Sequence, residues 1–500
     1  MPLAVNDRSA DVLALAEHWP VCEALMGGTP AMRKAGTAHL PKWPGETDAA
    51  YRDRLNTATL FPAYRRTVSV MAGKPFAKAL TLDEADSRIV NWCEDVDRGG
   101  VNLHAFAAAM FEESFFGLAG VLVDYPDTRP RDAEGRPLSP DAAAKLPPRT
   151  VAQVESTGAR PYFVRVLHNQ ILGWQAAMTP KGVRLSQLRL KESREEADGP
   201  YGTKTIPQVR VLYPGRWELH EQRGDVFVQV DAGTTSLDEI PFVPVYGRRE
   251  AFMLGTPTLL DLAHLNVKHW QSQSDQDTIL HVSRVPILVV KGVEAFALTL
   301  GASTAVNLGA DPNADMKFVE HSGASIDAGE ASLRALEVQM VQTGAELLVK
   351  QPGDRTATES AGDQEGNKCD LQRLTEQFED ALDQALVFMA QFAGIDPNRA
   401  GNVALFKDFG AATLSDASAT LVADLNARGL LTKETTLREM QRRGVIEASV
   451  DVEEEIAKAA EEGPALGELS DGMPPAAPVA PKKTTKITRD ADGNLIAEEQ

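Results

Sequence analysis

The chain has 500 residues, 43% of them hydrophobic, and a formal net charge of −20. That length and apolar content support a large core and about two to four domains. The acidic balance makes a poor general DNA binder, because such binding relies on Lys and Arg neutralising phosphates, though DNA can still pass nearby without being gripped. The three cysteines, Cys22, Cys93 and Cys369, form no CxxC pair, so neither a zinc site nor a disulfide framework is expected and a reducing cytosol fits. The stretch Met1–Asp7 lacks the basic and apolar regions of a signal peptide. The longest apolar runs, such as Phe115–Val123, fall far short of the roughly 20 residues a membrane span needs.

Residues 1–45 read as mixed helix and loop, with the Pro-punctuated segment His39–Gly45 extended. Residues 46–72 read as largely helical, with Leu55, Phe61, Val68 and Met71 as core positions and Pro62 as a break. A helix from about Asn102 to Phe116 gives way at Gly117 and Gly120 to the strand Val121–Tyr125. Six prolines and many charges in 126–150 predict a mobile surface insertion. From Pro161 to Gly247 the pattern is β: Tyr162–Leu167, Val183–Leu190, Val209–Tyr213, Arg216–Leu219 and Val226–Val230 alternate or are β-branched.

The region 256–392 carries the strongest helical periodicity. Thr256 and Pro257 form a start signal, followed by Leu259, Leu262, Ala263, Val267 and Trp270 at helical spacing. A helix from Pro257 to about Val282 would be about 38 Å long. Val285–Val290 is a β-rich apolar run. A second helix opens at Asp327, with Glu330 completing a capping box and Leu333, Leu336, Met340, Gly344 and Leu347 on its apolar face. A loop from Gln351 to Gly366 precedes a long helix. Its Leu371, Leu374, Phe378, Ala381, Ala385, Phe388 and Phe392 alternate steps of three and four, a seam for another helix. Residues 411–463 read as small helices, with Thr432 capping the one that bears Leu437 and Met440. Residues 464–500 are poor in large apolar side chains and are predicted disordered.

Catalytic motifs are missing. No GxxxxGK[ST], HExxH or GxSxG occurs, and Gly73-Lys74 is followed by Pro75. His264 and His269 are five apart and do not make an i, i+4 metal pair. Asp490–Gly493 has its glycine two positions too early for a calcium loop. The acidic pair Glu379-Asp380 reads as a helix face. Between Thr356 and Gly394 eight acidic residues face two basic ones, a composition that repels phosphates in a narrow passage.

The ordered set of these parts resembles the portal (head-to-tail connector) proteins of tailed bacteriophages, podovirus-type branch. It rests on Leu40–Asp48 (LPKWPGETD), Gly117–Pro126 (GLAGVLVDYP), Leu254–Leu262 (LGTPTLLDL), the β insert, the helix pair around the loop, and Gly429–Thr435 (GLLTKET). The likeness covers roughly residues 35–460. It implies an α+β portal fold: an α/β wing over 1–254, stem helices at 255–282 and 327–349, a small β-containing clip at 283–326, a tunnel loop at 350–366, a long wing helix and following strand or loop at 367–410, and a helical crown at 411–463. The tail 464–500 lies beyond it.

The resemblance further implies a ring of twelve subunits around a channel for double-stranded DNA, sited in the virion at one capsid vertex and assembled in the bacterial host cytoplasm. Implied partners are the terminase large subunit, a head–tail adaptor, and the major capsid protein and scaffold; no membrane, cofactor, metal or catalytic residue is implied. Tunnel-loop candidates are Lys350, Gln351, Asp354, Arg355, Thr356 and Thr358, with Lys350 and Arg355 placed for transient phosphate contact. Channel-facing stem candidates are Lys268, Gln271, Asp275 and Glu337. Clip candidates for partner contact are Lys291, Glu294, Asp311 and Asn313. The alternatives are another non-enzymatic virion component, scaffold or adaptor, and a metal-dependent nuclease; adaptors are usually shorter, scaffolds carry less β structure, and a nuclease needs clustered carboxylates.

Overall fold

The structure, a computed structural model, describes residues 3–130, 138, 145, 157–180, 182–283, 287–291, 315–319, 324–345, 369–407, 409, 432–442, 452–461, 485–489 and 495–499. Its fold is a mixture of helices and antiparallel sheets, of α+β class. Contacts divide the chain into two units, Met1–Phe409 and Gly410–Gln500.

The first unit begins with helices α1 (Ala10–Ala16), α2 (Trp19–Met26) and α3 (Gly28–Ala35), then α4 (Asp48–Thr57) and α5 (Ala63–Gly73). Thr47 starts α4 by accepting the Ala50 N–H at 3.2 Å. The break between α4 and α5 holds Pro62, as expected. It changes which residues face inward: Leu60 is buried, whereas Phe61, expected in the core, is 41% exposed. A short strand β1 (Thr81–Asp83) and helix α6 (Ser87–Cys93) lead to α7 (Leu103–Ser114), which Asn102 caps through its Oδ1 and the Ala105 N–H at 2.8 Å.

Strand β2 (Leu118–Asp124) is buried almost throughout because it is the centre of a three-stranded antiparallel sheet, between β3 (Tyr162–Val166) and β9 (Phe242–Tyr246). It starts earlier than the sequence pattern gave. Gly117 sits at φ +105°, and a Cβ there would lie 2.6 Å from the Gly255 carbonyl oxygen. Two segments that carried the family resemblance, far apart in sequence, therefore meet backbone to backbone.

A second antiparallel sheet runs in chain order through β4 (Ile171–Thr179), β5 (Gly182–Asp198), β6 (Gly202–Tyr213), β7 (Arg216–Arg223) and β8 (Val226–Thr234). β4 escaped the sequence reading because Gly173, Ala176 and Ala177 dilute its β propensity. The long β5–β6 pairing also exceeds the expected strands, since hydrophilic residues 191–205 stay in register beyond the buried part. Leu118, Leu122, Val166, Leu188, Leu190, Leu212 and Phe242 join the two sheets, with Val12, Leu15 and Trp19 of the N-terminal helices in the same cluster.

A tight hairpin, β10 (Arg248–Ala251) with β11 (Leu254–Thr256), precedes α8 (Leu260–Ser283). The first turn thus falls three residues after the Pro257 start signal; Pro257 is buried below the helix rather than opening it. Next come β12 (Ile287–Lys291) and β13 (Asp315–Val319), paired antiparallel from Ile287–Val319 to Lys291–Asp315. Helix α9 (Ala324–Ala345) starts three residues before the expected Asp327, which lies inside its first turn. Leu333, Leu336 and Met340 are buried as the stripe required; Leu347 lies outside the described residues.

The long helix α10 (Asp370–Phe392) matches its expected span, but not its expected partner. Besides the seam residues Leu371, Phe378, Ala381, Ala385 and Phe388 it buries Leu382, Leu386 and Met389. That stripe is too wide for a helix seam, and it lies on β9 and β2 and beside strand β14 (Asn402–Ala404) instead. Phe111 of α7 and Phe378 meet edge to face at 5.2 Å between ring centres.

The second unit contains α11 (Lys433–Arg442) and α12 (Val452–Glu461), which pack together. Thr432 caps α11 as expected, its Oγ1 accepting the Thr435 N–H at 3.2 Å. Within the stretch 464–500, expected to be disordered, the described residues are 485–489 and 495–499. There β15 (Thr485–Arg489) pairs antiparallel with β16 (Leu495–Glu499). β-Branched Thr485, Ile487, Thr488 and Ile496 favour the extended backbone, and a short connection lets the two strands close. Most of the 126–150 insertion and of 411–463, and Asp490–Gly493, lie outside the described residues.

Candidate functional site

Helices α8 and α9 run antiparallel. Gln276 Nε2 donates to the Ile326 carbonyl at 3.0 Å, His269 lies 3.4 Å from Glu337, and Leu262 touches the Gly344 region. The three contacts step down one helix and up the other. A Cβ on Gly344 would sit 3.0 Å from Thr67 Cγ2, so this glycine lets α9 approach α5; a Cβ on Gly329 would meet only the amide end of the Gln276 side chain.

Helix α8 is unusual in burying polar groups along with Leu262, Ala263 and Trp270. Asn266 is fully buried and fills the chain break at Pro62. Its Oδ1 accepts the Tyr64 N–H at 2.9 Å and its Nδ2 donates to the Phe61 carbonyl at 2.9 Å. It thereby serves backbone groups that the proline leaves without helical partners. His269 is 2% exposed and its ring lies 5.2 Å from that of Phe61. Burial pushes its imidazole below the ordinary value, while the Glu337 carboxylate pulls the other way. Among the described residues, both His269 ring nitrogens, Trp270 Nε1 and Ser274 Oγ are buried without a hydrogen-bond partner; Glu337 approaches His269 to 3.4 Å, a pair that is ionic only when the imidazole is protonated.

The Leu40–Asp48 stretch clamps α8 from outside. Arg54 grips Glu46 with two bonds of 2.8 Å and the Pro41 carbonyl at 2.9 Å, and its guanidinium stacks 4.1 Å over Trp43. These hydrogen bonds from Arg54 hold the Glu46 carboxyl below its ordinary value despite desolvation. Gln271 Nε2 joins helix to clamp by donating to the His39 carbonyl at 3.0 Å.

The sequence candidates fall out as follows. Lys268 is exposed on α8. Gln271 is bonded to the clamp, Asp275 is exposed within electrostatic reach of Arg54, and Glu337 is half-buried beside His269. Lys291 is exposed at the end of β12, opposite Asp315 in the ladder. Glu294, Asp311 and Asn313, and Lys350, Gln351, Asp354, Arg355, Thr356 and Thr358, lie outside the described residues. Sequence reasoning missed Asn266 and Arg54. Asn266 had a signal: it interrupts an apolar row of spacing four, between Leu262 and Trp270. Arg54 had none, since its partners come from the fold of the loop.

Among the described residues no group of three His, Cys, Asp or Glu side chains is placed to hold a metal, and no helix is long and apolar enough to cross a membrane. The sequence pattern of a family described as "Domain of unknown function (DUF4055)" matches residues 258–393, from just before α8 to just after α10. No curated protein matches. Among solved structures, a chain in the "Virion of native gene transfer agent (GTA) particle" is 12% identical, with 82% of this chain and 97% of that chain covered and a TM-score of 0.37. A chain in the "Neck of empty GTA particle computed with C6 symmetry" is 11% identical, covering 77% and 90%, with a TM-score of 0.38. A chain in the "Neck of native GTA particle computed with C12 symmetry" is 12% identical, covering 81% and 96%, with a TM-score of 0.37.

Proposed function

We propose that the chain is the repeating subunit of a portal ring, a conduit for duplex DNA at one capsid vertex that has no catalysis of its own. The observation that carries this reading is the element order from α8 to α10: helix, antiparallel strand pair, antiparallel helix, connecting segment, long helix. Helices of 24 and 22 residues give a rod about 33–36 Å long, braced by contacts with α2 and α5 of the same unit. Identical rods set side by side by a head-to-tail contact close into a ring. In a ring of twelve, subunits at −20 each sum to about −240 before counterions, a surface over which DNA passes without general adhesion.

In this reading residues 283–326 form the clip that meets the terminase and later the tail adaptor, and Lys291 is its exposed contact candidate. Residues 350–366 form the loop that narrows the channel. Lys268 faces the lumen, while Gln271, Asp275 and Glu337 serve the joints of the rod as much as its surface. The experiment is negative-stain microscopy of the purified chain. Rings with a central hole are expected; monomers alone at high concentration overturn the proposal.

A further inference from the structure

At the root of the hairpin, β10, the start of α8, the end of α9 (Thr343) and the start of α10 converge on a cleft of about 510 Å³. Arg248 and Arg249 enter it from β10, Thr258 and Asp261 from the start of α8, and Asp370 and Arg373 from the start of α10. Arg248 and Arg249 are exposed and make no ion pair among the described residues; the Arg249 guanidinium rests 4.9 Å over the Tyr246 ring. Arg373 donates to Asp370 at 2.9 Å. The Thr258 hydroxyl oxygen is shut off from solvent and has no hydrogen-bond partner among the described residues. Gly247 forms the tight floor beneath it, where a Cβ would lie 2.9 Å from that oxygen.

We infer that this cleft is an anion seat that takes a phosphate of the duplex backbone. Three guanidiniums against two carboxylates leave one net positive charge here, in a chain whose total is −20. The arginines approach from two elements, Arg248 and Arg249 from β10 and Arg373 from α10. Donors spread in this way suit a tetrahedral oxyanion better than a planar carboxylate, which two parallel N–H groups satisfy. The N-terminal ends of α8 and α10 add positive potential on the same side. One such contact per subunit is weak and sensitive to salt. It steadies the DNA axis without stopping its passage.

The inference rests on the conduit reading for the owner of the phosphate, and microscopy of the wild-type protein tests that reading before any DNA is added. The seat is tested by fluorescence anisotropy of a labelled duplex on the full-length protein at low salt. The double variant Arg248→Gln/Arg249→Gln should bind at least tenfold more weakly and with a shallower salt dependence. Arg248→Lys/Arg249→Lys should keep part of the affinity, and Arg334→Gln, on α9 outside the cleft, should keep all of it. Thermal melts of the variants should match the wild type. The inference is overturned if the Gln variant binds duplex normally, or if the wild type binds inorganic phosphate but not duplex. It is equally overturned if the Gln variant loses its rings, because the arginines then meet a carboxylate of a neighbouring copy.

Discussion

Two side chains on α8 show how single residues hold the rod to the N-terminal helices. Asn266 answers two backbone groups freed by Pro62. Asn266→Leu keeps the volume and removes both bonds, leaving the Tyr64 N–H unpaired while the Phe61 carbonyl keeps the Ala63 N–H at 2.9 Å. It should cost about 1–3 kcal/mol in urea denaturation, and a cost near zero would show that the break at Pro62 needs no brace. His269 sets a pH dependence. Its folded value is depressed by burial, so the unfolded chain takes up the proton more readily. Its neutral form therefore supports full stability above the ordinary histidine value of about 6.5, and stability falls as the pH drops through the lower folded value. Between about pH 7.5 and pH 5 the wild type should lose more melting temperature than His269→Gln. Equal losses would mean that Glu337 compensates the buried charge.

Among the elements, α9 depends on a close approach to α5 at one glycine. Gly344 brings α9 against Thr67 of α5, and no β-branched side chain fits there without displacement. Gly344→Val should destabilise by about 1–3 kcal/mol, measured as a lower urea midpoint at unchanged slope. The long helix α10 tells a different story. Its heptad-like spacing looked like a helix seam, yet β9 and β2 cover it, because Leu382, Leu386 and Met389 widen the stripe beyond what a partner helix covers. The Leu40–Asp48 clamp is likewise an element-scale device, fastened by Arg54 and joined to α8 through Gln271.

For the whole molecule, the proposal separates a ring-forming body from a loop and a tail. Deleting Pro352–Gly366 should leave rings intact under the microscope while impairing DNA retention or packaging. Loss of rings would make that segment structural and defeat its assignment. Truncation after Gly463 removes the β15–β16 hairpin and should leave the ring unchanged; a failure to assemble would place the tail in the subunit interface.

The sequence by itself determined the order of the elements, the long helices, the cap at Thr432, the break at Pro62 and the acidic balance. All of these follow from local spacing, local backbone chemistry or composition. It did not determine β4, the partner of α10, the exposure of Phe61 or the hairpin in the tail. Nor did it reveal that Gly117 meets Gly255, that Asn266 completes the break at Pro62, or that Arg248, Arg249 and Arg373 share one cleft. Those are pairings between residues far apart along the chain, and only the packed backbone brings their atoms within reach.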